Sequence, residues 1–139
     1  LQNVNNKLQN NVIQPIWLTD EHLNSYFDQL NSHVLGSSSG AYIMNPLISH
    51  ALKSLINTDH LLQPLQLTEK NIIVIPVNNS NDFDSESGTH WSLLIYNRSL
   101  GSFYYYDSIP QKNIEQSKLI ANKLASFLLP KFNYDFKVI

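Results

Sequence analysis

The stretch Gly88 to Asp107, GTHWSLLIYNRSLGSFYYYD, constrains the fold more than any other part of the chain. His90 opens an apolar run, Trp91 to Tyr96, built from residues that favour strands. The polar segment Asn97 to Gly101 then reverses the chain into Ser102 to Tyr106. Two such runs across a short turn pair as antiparallel neighbours, which brings the first residue of one beside the last residue of the other. The stretch therefore predicts a β-hairpin with His90 and Asp107 together at one end. An imidazole acts as a general base when a second group fixes its tautomer and stabilises its imidazolium form, and a carboxylate does both. On spacing alone a second reading stands beside this one: Asp107 starts the turn Asp-Ser-Ile-Pro and His90 is an edge histidine.

The elements around the hairpin point to an α+β domain. Thr19 is a helix cap, Asp20 and Glu21 suit the positive helix end, and Leu23, Tyr26, Phe27 and Leu30 recur at i, i+3, i+4 and i+7, predicting a helix over 20–31. Asn45-Pro46 opens a second helix whose expected buried face is Leu47, Ile48, Ala51, Leu52, Leu55 and Ile56. Ile72 to Val77 reads as a central strand with Pro76 ending its pairing on one side. A helix over 113–129 is stopped by Pro130, and Tyr134 to Ile139 closes with a further strand. Helices, strand, hairpin, helix and strand in that order predict a mostly antiparallel central sheet flanked by helices.

Composition narrows the function classes. Lys and Arg number 9 against 11 Asp and Glu, with no basic run, which argues against nucleic acid as the main partner. No apolar run is long enough for a bilayer and the opening residues are polar, so the expectation is a soluble, intracellular protein without a membrane partner. There is no cysteine, which removes disulfides and cysteine-based zinc sites along with the most obvious nucleophile for a His/Asp pair. His50 and His60 have no neighbour at metal-ligand spacing and read as surface or core-edge histidines, so no metal is expected.

The motifs Trp17-Leu18-Thr19-Asp20, Gly88-Thr89-His90-Trp91-Ser92-Leu93-Leu94 and Tyr105-Tyr106-Asp107-Ser108 together are specific. In them the chain resembles the ubiquitin-like-specific cysteine proteases of clan CE, the sentrin/SUMO protease family, and is most similar to its deneddylase branch. The resemblance covers residues 15 to 139, with 1 to 14 as a lead-in. It implies a clan CE fold and a thiol protease that cuts ubiquitin-like modifiers (Nedd-type, SUMO or ubiquitin) after a Gly-Gly C-terminus, without a cofactor. His90 would be the base and Asp107 its orienting acid. Trp17 and Trp91 would enclose the flat glycine tail, Asp20 would contact it, and the loop Asn78 to Thr89 would close on the modifier. By their residues alone Trp17 also reads as a staple for the first helix, and Asp20 as a residue favoured by the helix dipole.

The chain departs from the family in one respect: the family's oxyanion glutamine and nucleophilic cysteine follow the last strand, and neither is present here. Gln111 lies too close after Asp107 to take the glutamine's place. The expectation is that the C-terminal part of the domain lies outside these residues, on a longer natural chain or on a separate chain, or that the protein is a pseudo-enzyme; the 139 residues alone would be inactive. Two further readings are a catalytically dead module binding a ubiquitin-like protein and a clan CE acetyltransferase.

Overall fold

The structure is a computed structural model that describes residues 18–36, 39–80 and 88–139. Strands Ala41–Ile43 (β1), Ile72–Asn78 (β2), Trp91–Asn97 (β3), Ser102–Tyr106 (β4) and Asp135–Val138 (β5) lie side by side in chain order in one sheet. The central pairs are antiparallel, running from Ile72↔Asn97 to Asn78↔Trp91 and from Leu93↔Tyr106 to Asn97↔Ser102. The outer pairs, β1 with β2 and β4 with β5, are parallel and shorter. The expected α+β domain is therefore a mixed sheet with its longer ladders antiparallel. Pairing of β2 with β1 ends at Val74, so Pro76, which has no N–H to give, lies beyond that ladder while still facing Leu93 on β3.

The hairpin forms as the sequence predicts. Gly101 takes a left-handed φ of 58° in its turn, a conformation that costs glycine least. Alternation along β3 buries Ser92, Leu94 and Tyr96, and Phe103 and Tyr105 on β4 share that face. Helices Pro46–Ser54 (α2) and Ile114–Leu128 (α4) pack against the sheet, α4 contributing Ile120, Ala121, Leu124, Ala125 and Leu128 to one core with Met44, Leu52, Ile73 and Ile75. Between α2 and β2 the chain makes a short helix, Asp59–Leu62 (α3), and two 3-10 turns.

Two helical expectations change. The first helix, Asp20–Gln29 (α1), has its Thr19 cap, closed by His22 into a capping box, but passes into a π-helical turn, Leu30–Leu35. None of its residues is buried, and Tyr26 is 58% exposed. Its apolar stripe faces a groove rather than the core. The second helix ends at Ser54: Leu55 is its cap in extended conformation, so Ile56 leaves the helical period and stands 96% exposed. Leu47 is exposed as well, and the buried face is Ser49, His50, Ala51 and Leu52. Among the described residues no helix is long and apolar enough to cross a membrane.

Candidate active site

The period of two that builds the sheet also builds the site. His90 continues the series Ser92, Leu94 and Tyr96, and Asp107 continues Phe103 and Tyr105, so both project to the α4 side at the end of the hairpin. The β3–β4 register ends at Leu93↔Tyr106; continued by one residue it sets Asp107 across from Ser92 and His90 diagonally beside it. The His90 Nε2 atom is hydrogen-bonded to Asp107 Oδ1, and the two side chains are 10% and 2% exposed. An ionised carboxylate only accepts, so the proton of this bond sits on Nε2 and the lone pair of the ring lies on Nδ1. Nδ1 is thus the atom that can take a proton from a nucleophile.

Asp107 is held at both oxygens. Oδ1 accepts from His90 and from the Ile109 N–H at 2.9 Å; Oδ2 accepts from the Tyr105 hydroxyl and from the Asn113 N–H at 3.1 Å. Burial pushes the carboxyl up, but the donors from Tyr105, His90, Ile109 and Asn113 outweigh it and hold Asp107 below the ordinary carboxylate value. Burial and then the bond to Asp107 push the Tyr105 phenol up to about 12, against the pull of the Asn113 N–H, so the phenol keeps its proton.

Asn113, fully buried just before α4, ties the pair together. Its side-chain amide lies 2.9 Å from Val77 O, 3.0 Å from Ser92 Oγ and 3.3 Å from His90 O, while its backbone N–H reaches the acid. Asn79 fixes the approach to the histidine: its Oδ1 accepts from the N–H groups of Thr89 (2.8 Å) and His90 (3.1 Å). One step further back, the Lys53 ammonium gathers Asn78 O, Asn78 Oδ1 and Ser80 O. Sequence reasoning missed Tyr105, Asn113 and Asn79. Only Asn113 left a signal, as the polar residue at the expected start of a helix six residues after Asp107.

Trp91 alternates to the opposite face of the sheet. Its indole N–H donates to Leu18 O at 2.9 Å, joining β3 to the lead-in of α1. With Leu23, Phe27, Leu93, Tyr106 and Ile139 it lines an apolar groove of about 480 Å³ that reaches Asp107 and Ser108 at its end. Asp20 is half-buried in the first turn of α1 and does not line this groove; its charge bears on Lys53. Trp17, the lead-in 1–14 and residues 81–87 of the loop Asn78 to Thr89 lie outside the described residues. Among the described residues no cluster of His, Cys, Asp or Glu is able to hold a metal ion.

Known proteins resemble this chain in sequence and in fold. Residues 16–136 match the model described as the Ulp1 protease family, C-terminal catalytic domain. Sentrin-specific protease 8 of Homo sapiens is 31% identical over 118 residues, covering 82% of this chain and 55% of the human protein. NEDD8-specific protease 1 of Arabidopsis thaliana is 30% identical over 118 residues, covering 82% of this chain and 51% of its own. The chain spans about half the length of the curated relatives it matches. In fold it is similar to a structure of the SUMO protease Ulp1 with its catalytic cysteine oxidised to a sulfinic acid, with a TM-score of 0.64 at 16% identity over 91% of this chain and 57% of that one. With a match that runs from ahead of α1 into β5, the chain belongs to the Ulp1 protease family.

Proposed function

We propose that this chain carries the base and acid of a thiol protease that cuts ubiquitin-like modifiers after a C-terminal Gly-Gly. The observation that carries the reading is the His90–Asp107 pair, with the imidazole bound through Nε2 so that Nδ1 is left to receive a proton. His90 Nδ1 takes the proton of a cysteine thiol, and Asp107 stabilises the imidazolium that forms. The thiolate attacks the carbonyl carbon of the terminal glycine, the imidazolium returns its proton to the leaving amine, and the C–N bond breaks to leave a thioester. Water then enters, again giving its proton to His90, and the thioester C–S bond breaks to free the modifier. The thiol and the oxyanion glutamine come from outside these 139 residues, which contain no cysteine. Residues 15 to 139 are then the N-terminal and central part of the catalytic domain, and alone they are inactive.

Trp91, and Trp17 with it, forms the slot that admits a tail without side chains, and Asp20 contacts the modifier. The names of the similar proteins, sentrin-specific and NEDD8-specific proteases, support a Nedd-type or SUMO-type modifier. The test is cleavage: the full natural protein is given Nedd-type, SUMO and ubiquitin precursors extended beyond Gly-Gly. Release of the extension from at least one, abolished by His90→Ala, is expected. A second reading rests on the lack of cysteine: a module that binds the modifier without cutting it. Tight binding with no release of any extension supports that reading and overturns the first.

A further inference from the structure

Within the protease reading, on which this inference rests, one side chain of the core reaches the acid of the pair. The ring of Tyr105 is fully buried, faces Leu94 across the hairpin and stacks on Phe136 at 6.2 Å, so its hydroxyl has one place to be. The Asn113 N–H donates to that hydroxyl at 2.9 Å. With this donor on the phenol oxygen, the phenol proton is aimed at Asp107 Oδ2. Of the four donors on the carboxylate, two are backbone N–H groups and one is the base itself. Tyr105 is the fourth.

We infer that Tyr105 is a positioning residue for the reaction: its hydroxyl fixes the plane of the Asp107 carboxylate and keeps it ionised, so that Oδ1 stays on His90 Nε2. It touches no substrate and acts through Asp107. The charged and titratable groups around it are few. His90 and Asp107 share the cluster. From α4, Asn113 and Ser117 are neutral, and Glu115 and Lys118 pair with each other at the surface. From β5, Lys137 stands over Tyr104, whose side chain alternates to the other face. Among the described residues, the charge that acts on the phenol is that of Asp107. Loss of this donor therefore registers on Asp107 first and on the base second.

Tyr105→Phe keeps the ring and removes only the donor, so it is the test, made in the full natural protein. The Asp107 carboxyl carbon is followed through a pH titration by NMR, and cleavage of the preferred modifier precursor is measured against pH. In the variant the Asp107 midpoint is expected to rise toward the ordinary carboxylate value and the acid limb of kcat to move up with it. At the plateau kcat falls about 3- to 10-fold, the range of one hydrogen bond, with KM unchanged. A fluorinated tyrosine at 105, a stronger donor, moves the midpoint the other way. An Asp107 midpoint that neither substitution moves overturns the inference, as does an unchanged kcat in an active protein. A wild-type protein that cuts no modifier overturns the protease reading instead, and the Asp107 titration still decides the positioning role.

Discussion

Replacing Asp107 by asparagine separates what the acid does for the fold from what it does for the base. Asparagine keeps one of the two acceptor oxygens and exchanges the other for an amide that donates. Two of the four donors on Asp107 are buried, the Tyr105 hydroxyl and the Asn113 N–H, while His90 and Ile109 lie toward the rim. The new side chain turns its oxygen inward, because a buried donor without an acceptor costs about 1–3 kcal/mol and water replaces the lost partner at the rim. The amide then faces His90, and the imidazole answers by shifting its proton to Nδ1 and accepting at Nε2. Stability falls by only about 1–2 kcal/mol, one rim-side hydrogen bond to a charged group. Activity falls far more, roughly a thousand- to ten-thousandfold, because the nitrogen that must take the thiol proton already carries one.

The sign of the pH dependence follows from the depressed Asp107 value. A carboxyl lowered in the folded state stabilises above its unfolded value, and that contribution is lost as pH falls through the folded one. The stability gap between wild type and Asp107→Asn therefore narrows in acid. Urea unfolding across pH gives the gap, nitrogen NMR of the imidazole gives the tautomer, and precursor cleavage gives the rate. Retained activity, or an imidazole proton still on Nε2, refutes the reasoning.

The remaining predictions concern the surroundings. Burial, partly offset by the charge of Asp20, lowers Lys53 from 10.5 to about 8. The folded state thus releases this proton first, and stability rises with pH between those values; in Lys53→Met that rise is lost from unfolding curves, and a rise that persists assigns it elsewhere. Trp91→Ala removes a half-buried indole from the open face of the sheet, so the protein stays folded. Its affinity for a modifier ending in Gly-Gly drops about 30-fold or more, the scale of an aromatic anchor, as read by calorimetry. An unchanged Kd removes Trp91 from the tail site.

Where the sequence was legible, short-range rules coincided with the tertiary answer. The hairpin follows from two strand-forming runs and a glycine-containing turn, and its alternation is what puts His90 and Asp107 on one face. Thr19 and Asn45 caught both early helix starts, because a cap is a local hydrogen bond. Ends and faces were harder. Leu55 and Ile56 keep a helical period on paper, but the helix has already ended, and the stripe of Leu23, Phe27 and Leu30 has no core against it in these residues. The place of strand Ala41–Ile43 in the sheet rests on parallel pairing with Ile72–Val74, a contact no window of sequence contains. The support of the acid was hidden for the same reason: Tyr105 reads as one more strand aromatic, and Asn113 as one more helix start, until the sheet and α4 bring them to Asp107.

The most direct measurement is the intact mass of the full natural protein after incubation with Nedd-type, SUMO and ubiquitin proteins carrying a cysteine-reactive group in place of the terminal carboxylate. The account predicts a gain of one modifier mass with at least one of them, lost in His90→Ala and slowed in Asp107→Asn. A folded protein that binds a modifier and never gains its mass contradicts the claim that His90 and Asp107 serve a thiol.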